Sequence, residues 1–232
     1  IVVFAGGVGS RLWPLSRKNS PKQFGKIIAD RSMLQIAVHK LFPEFSWDDI
    51  YISTGKQYAS IIEEQLPKLR RENIIVEPES RDVGPAVGLV IARLVKDFPN
   101  EPVAILWGSD HLVKKEVLFR KILRTAEDLI NKDPEKIVFI GQKPRFGNQN
   151  LGYIHFGKEL EKRNEFPIHE FVGFQYRPSL KDANTFATDG LHSWNLGYFV
   201  TTPKFLWKMF NQFSPEIFSK LEEINKAYQT PK

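Results

Sequence analysis

The residue types most able to do chemistry gather near the start of the chain. Ala5-Gly6-Gly7-Val8-Gly9-Ser10-Arg11-Leu12 follows an apolar run, Ile1–Ala5. Glycines let a backbone approach a ligand closely and aim N–H groups at anionic oxygens. Arg11 and Lys22 add fixed positive charges suited to a polyphosphate. No Gly-Lys-Ser/Thr closes the segment, so it is not a P-loop. In a Gly7-x-Gly9 register the third glycine position of a dinucleotide fingerprint falls on Leu12, so that reading fails too. The competing reading is a tight strand-to-helix turn. Further on, Gly108-Ser109-Asp110-His111 closes an apolar stretch. A carboxylate at the carboxyl end of a buried strand stands where open α/β sheets place ligands. Asp82 precedes a helical pattern and reads equally as a helix cap.

These groups need a frame, and the periodicity supplies one. Strands are predicted at Ile1–Ala5, Asp49–Ser53, Asn73–Val76, Pro102–Trp107 and Lys136–Ile140. Helices are predicted between them at Ser32–Leu41, Gln57–Leu69, Gly84–Lys96 and Val117–Ile130. Such alternation predicts an α/β fold, a Rossmann-like mixed, mostly parallel sheet flanked by helices. After residue 148 the pattern changes. Gly152–Phe156, Ile168–Gln175 and Asn195–Val200 read as strands, Leu180–Ala187 as a helix, and Pro203–Phe210 and Pro215–Tyr228 as helices opened by proline. This predicts a mixed sheet edge or a smaller β-rich lobe. The expectation is a single domain over 1–232 with two functional halves, 1–147 and 148–232.

Composition narrows the classes. The chain has 232 residues, 42% hydrophobic and 26% charged, as ordinary globular proteins do. It has no cysteine, which excludes disulfides, thiolate metal sites and cysteine nucleophiles and leads us to expect a reducing, cytoplasmic setting. Net charge is +6, but the basic residues are spread out rather than gathered in a tail, so neither nucleic acid nor membrane is expected as a partner. No apolar run approaches membrane-spanning length. No signal peptide is visible, and the opening Ile1 reads as a trimmed N-terminus.

Phe4 through Arg17, with Trp13-Pro14-Leu15-Ser16-Arg17, and then Ser20-Pro21-Lys22-Gln23-Phe24, closely resemble the signature of sugar-1-phosphate nucleotidylyltransferases, and within them the mannose-1-phosphate guanylyltransferase branch. Glu77-Pro78-Glu79-Ser80-Arg81-Asp82-Val83-Gly84-Pro85-Ala86 is similar to the branch's Glu-Pro-x-x-Arg-Asn-Thr-Ala-Pro-Ala segment near the base, with Asp82 for the usual Asn. Gly108–His111 resembles the element whose aspartate holds Mg²⁺. Leu151-Gly152-Tyr153-Ile154 and Trp194-Asn195-Leu196-Gly197 resemble segments that face the sugar.

The resemblance implies transfer of a guanylyl group from GTP to α-D-mannose 1-phosphate, giving GDP-mannose and pyrophosphate, with Mg²⁺ as cofactor. It assigns Arg11, Lys22 and Asp110 to catalysis and Asp110 to the metal. Nucleotide contacts fall on Ala5, Gly6, Gly7, Gly9, Ser10, Glu77, Arg81, Asp82, Pro85 and Gly108. Sugar contacts fall on Gly152, Tyr176, Arg177 and Asn195. His111 is expected to be structural or a polar contact rather than a base.

Two departures accompany it. Where the family carries Phe-Val-Glu-Lys-Pro, this chain has Phe174-Gln175-Tyr176-Arg177-Pro178, so a tyrosine replaces the sugar-binding glutamate and an arginine the phosphate-binding lysine. The family's second metal aspartate comes late in the chain, whereas Pro215–Tyr228 offers only Glu216, Glu222 and Glu223. The chain is therefore expected to stop short of that element, or to complete metal ligation differently. The rival readings are a nucleotidylyltransferase for another sugar 1-phosphate, such as a manno-heptose, and a catalytically weak regulatory homologue that binds nucleotide sugars. Self-association is left open.

Overall fold

A computed structural model describes residues 1–7, 16–17, 21–27, 30–79, 82–109 and 111–228. Among the described residues, eight strands form one mixed sheet: β1 (Val2–Phe4), β2 (Tyr51–Gly55), β3 (Ile74–Glu77), β4 (Val103–Leu106), β5 (Val138–Gln142), β6 (Gly152–Arg163), β7 (Phe166–Tyr176) and β8 (His192–Thr201). Their order is β3-β2-β1-β4-β8-β6-β7, with β5 also paired to β8. The pairs β1–β2, β2–β3 and β1–β4 are parallel, as strand–helix alternation requires. From β4 onward the pairing is antiparallel: β8 runs against β4, β5 and β6, and β6 against β7.

Burial on both faces explains the apolar runs of the parallel strands. Val3, Ala104 and Leu106 join Leu34, Val38, Leu41, Ile62, Phe119, Leu123 and Ile130 on one face. Val2, Phe4, Val103 and Ile105 join Val87, Val90, Ile91, Leu94 and Leu206 on the other. Thus α1 (Met33–His39), α2 (Ala59–Gln65) and α4 (Glu116–Lys132) cover the first face, and α3 (Val83–Asp97) and α6 (Pro203–Phe213) the second. Among the described residues the other α-helices are α5 (Leu180–Phe186) and α7 (Pro215–Ala227). Gly88 of α3 leaves room for Leu221 of α7: a Cβ there would lie 2.8 Å from a leucine methyl.

Helix ends follow local chemistry. At α1, Ser32 and Gln35 form a reciprocal capping box with bonds of 2.9 and 3.1 Å. At α6, Thr202 caps and Pro203 occupies the first turn. The helix predicted over Gln57–Leu69 is shorter, ending at Gln65, because Leu66 precedes Pro67 and takes a non-helical ψ of 64°. The strand predicted to end at Phe156 runs on to Arg163. Beyond Phe156 the hairpin β6–β7 is largely exposed and carries charges of both signs, so backbone pairing rather than burial sustains it.

Candidate functional site

The carboxyl ends of the parallel strands bring the first group of predicted residues together. The Ala5 N–H donates to the Ser53 carbonyl at 2.8 Å, continuing the β1–β2 ladder one step past the strand. The Ala5 carbonyl accepts from Thr54 Oγ1 at 3.2 Å. Gly6 follows, and a Cβ placed on it would lie 3.3 Å from Glu77 Oε1, at the end of β3. Glu77 accepts from Ser53 Oγ at 3.0 Å. Ala5, Gly6, Gly7 and Glu77 therefore share one end of the sheet. Gly9, Ser10, Arg11, Arg81 and Asp110 lie outside the described residues. Lys22 opens a 3-10 turn, Lys22–Phe24, and its N–H donates to Ser16 Oγ at 3.1 Å.

One residue of this group escaped the sequence reading. Gln23 is 2% exposed, and its Nε2 donates to the carbonyls of both Ala5 and Gly7, each at 2.9 Å. A polar residue between Lys22 and Phe24 carries no local signal of burial. Only the fold reveals it.

Burial pushes the Glu77 carboxyl above the ordinary carboxylate range, and the Ser53 hydroxyl only partly offsets this. A raised folded-state value means that Glu77 favours the fold when protonated and loses that contribution as pH rises through it. Glu77→Gln keeps an acceptor for Ser53 and removes the buried charge. It should raise the melting temperature at neutral pH, with the gain vanishing as pH falls into the carboxylate range. Thermal unfolding of both proteins across that range checks this. A variant less stable at neutral pH would contradict it.

Gly108 follows β4. Its carbonyl accepts from the Tyr198 hydroxyl and from the His111 N–H, both at 3.3 Å, and His111 Nδ1 lies 2.8 Å from the same hydroxyl. Because that hydroxyl has one hydrogen, both contacts are satisfied when Nδ1–H donates to the tyrosine oxygen. A Cβ on Gly108 would collide with the His111 ring, so glycine is required there. His111 thus makes its described polar contacts within the fold, to Tyr198 and Gly108. At α3, Asp82 is the N-cap, with φ of 75° and its carboxylate accepting from the Val83 N–H at 2.8 Å. Pro85 sits in the first turn of the same helix.

The sugar candidates also converge. Gly152 pairs across the sheet with Tyr176 on one side and Asn195 on the other. A Cβ on Gly152 would lie 3.6 Å from both Asn195 Cβ and the Tyr176 ring. Asn195 Oδ1 accepts from the Gly197 N–H at 2.8 Å. Gly197 takes φ of 70° and lies so near Trp107 that a Cβ would come within 2.8 Å of the Trp107 Cβ. The Trp107 N–H donates to the Gly197 carbonyl at 3.3 Å, and the indole stacks on Phe4 at 4.0 Å. These contacts link β1, β4 and β8. Arg177, at φ of 46°, lays its guanidinium 5.2 Å from the centroid of the Tyr176 ring, which is 71% exposed. One continuous edge of the sheet thus carries Glu77, Gly6, Gly108, Asn195, Gly152 and Tyr176.

A mostly parallel α/β sheet with Gly6 and Gly7 at the carboxyl end of β1 places a candidate ligand site where open α/β folds bind their ligands. The chain belongs to the nucleotidyl transferase family, whose profile matches residues 1–231. It is similar to mannose-1-phosphate guanylyltransferase 2 of Escherichia coli O157:H7, at 32% identity over 96% of this chain and 47% of that protein. It is also similar to the mannose-1-phosphate guanylyltransferase of E. coli K12, at 31% identity over 97% of this chain and 47% of the relative. The chain therefore spans about half the length of the curated relatives it matches. Among solved structures it is similar to the Thermus thermophilus protein described as mannose-1-phosphate geranyltransferase, with a TM-score of 0.85, 26% identity and coverage of 97% of this chain and 63% of that one. UDP-glucose pyrophosphorylase in complex with UDP-glucose shares the fold, at a TM-score of 0.56 and 17% identity over 89% of this chain and 77% of the other.

Proposed function

We propose that the chain carries the site that transfers a guanylyl group from GTP to α-D-mannose 1-phosphate, forming GDP-mannose and releasing pyrophosphate. The observation carrying this reading is the similarity to mannose-1-phosphate guanylyltransferases at 31–32% identity over 96–97% of the chain. A sheet edge that gathers the glycine turn with Gly152 and Asn195 supports it. In this reading residues 1–147 bind the nucleotide and 148–232 the sugar. The cytoplasm is the proposed setting, and no described helix is long and apolar enough to cross a membrane.

The sugar phosphate oxygen attacks the α-phosphorus in line, and pyrophosphate leaves from the opposite side. The nucleophile is already ionised, so no general base and no covalent intermediate are needed. What remains is positioning and charge neutralisation. Backbone N–H groups of Gly6, Gly7, Gly9 and Ser10 hold nucleotide phosphates. Arg11 and Lys22 meet the β- and γ-phosphates, where charge grows as pyrophosphate departs. Glu77, Arg81, Asp82 and Pro85 border the base. Gly152 and Asn195 face the sugar, and Arg177 meets its phosphate.

The described residues hold no group of three or more His, Asp or Glu able to cage a cation by themselves. Mg²⁺ seldom uses such a cage, taking one or two carboxylates together with substrate phosphates. We assign that role to Asp110, which follows Gly108 and Ser109 in the sequence. Bound there, Mg²⁺ would neutralise phosphate charge.

Arg177→Ala should raise the KM for mannose 1-phosphate more than that for GTP, because only one substrate loses its charged partner. Steady-state kinetics with each substrate varied in turn checks this, and equal changes would remove Arg177 from the sugar phosphate. The function itself is tested by pyrophosphate release from each nucleoside triphosphate against a panel of sugar 1-phosphates. GTP with mannose 1-phosphate should be turned over most efficiently. A second reading rests on the Tyr176 ring, which flanks Gly152 where a carboxylate is usual: preference for a different sugar 1-phosphate in the same panel would establish it.

A further inference from the structure

We infer that Gln23 is a positioning residue for the nucleotide phosphates, a latch that fixes the direction of the Ala5–Gly7 backbone; this rests on the function proposed above. Its two Nε2 hydrogens have two acceptors, the carbonyls of Ala5 and Gly7, both at 2.9 Å. These carbonyls flank Gly6. In a planar trans peptide the C=O and the following N–H point in opposite directions. Drawing the Ala5 carbonyl onto Gln23 therefore turns the Gly6 N–H away from it. Thr54 Oγ1 reinforces the same carbonyl at 3.2 Å.

The need for such a latch follows from glycine itself. A turn rich in glycine loses more conformational entropy on ordering than any other, so an anion site built from it binds weakly unless something orders it beforehand. Gln23 is buried, 2% exposed, so its carboxamide is itself ordered before ligand arrives. It also shares the 3-10 turn Lys22–Phe24 with the lysine assigned to the phosphates. One short turn thus sets both the backbone donors and a cation.

The test uses the purified chain with Mg²⁺, GTP titrated calorimetrically and mannose 1-phosphate varied in steady-state assays. Gln23→Leu keeps the bulk and removes both donors. GTP affinity should fall about tenfold, the scale of two lost hydrogen bonds, while the KM for mannose 1-phosphate changes by less than about twofold. Gln23→Glu sets a carboxylate against two carbonyl oxygens. Its GTP affinity relative to wild type should recover as pH falls, because the neutral acid regains one donor. Wild-type GTP affinity in the Leu variant, equal losses for both substrates, or a pH-independent ratio in the Glu variant would each overturn the inference. If Gln23→Leu does not fold, the pH ratio of Gln23→Glu decides alone. Wild-type protein that binds no GTP would instead overturn the proposed function, and the latch with it.

Discussion

Asp110→Asn should lower pyrophosphate release by at least about a hundredfold, roughly 2.7 kcal/mol in the activation barrier. The substitution keeps the shape of the side chain and removes its charge, so the loss measures the carboxylate's electrostatic role rather than its bulk. A hard divalent cation prefers anionic oxygen to an amide oxygen. Asp110 follows Ser109, which is buried at the end of β4, and the Gly108 carbonyl is held by Tyr198 and His111. Activity should also be abolished by EDTA and restored by Mg²⁺ in the wild type. Near-normal turnover by the variant at low Mg²⁺ would show that the cation is held elsewhere.

Arg11→Ala should weaken GTP binding or turnover by about 2–4 kcal/mol, the scale of a lost donor aimed at developing charge. The glycine turn supplies partial charges through backbone N–H groups, whereas Arg11 supplies a full one. A guanidinium stays protonated at any working pH and can grip two phosphate oxygens at once. The loss should fall mainly on kcat if Arg11 meets charge that appears as pyrophosphate leaves, and mainly on KM for GTP if it grips the ground state. Mannose 1-phosphate binding should be little changed. Unchanged kinetics in a folded preparation would remove Arg11 from the site.

Much of the frame was legible because burial imposes simple periodicities. Val2–Phe4 and Val103–Leu106 are apolar on both faces, and α4 has its buried residues at helical spacing, so strand, helix and a mixed sheet could be read from one chain. The alternation of strand with helix implied the parallel pairing of β1 to β4. Less legible was the long hairpin β6–β7, whose outer part is held by backbone hydrogen bonds rather than by an apolar face.

At the site, residues in a recognisable run were legible: Ala5, Gly6 and Gly7 at the turn, Gly152 and Asn195 across the sheet. Residues whose role depends on distant partners were not. Gln23 reaches back 18 and 16 residues to two carbonyls, and the Tyr198 hydroxyl reaches 90 residues back to Gly108. Neither contact leaves a mark in local sequence. Tyr176 was legible as a departure, but its position against Gly152 and under Arg177 required the register of three strands.

The proposed reaction makes one bond, between the sugar phosphate oxygen and the α-phosphorus of GTP. Phosphorus-31 magnetic resonance follows it directly. With GTP, mannose 1-phosphate and Mg²⁺, the account predicts a sugar-nucleotide diphosphate signal and a pyrophosphate signal growing in equal amounts, with the α-phosphorus of GTP retained in the sugar nucleotide. Release of inorganic phosphate without that product, or product formation from another nucleoside triphosphate while GTP is left intact, would contradict it.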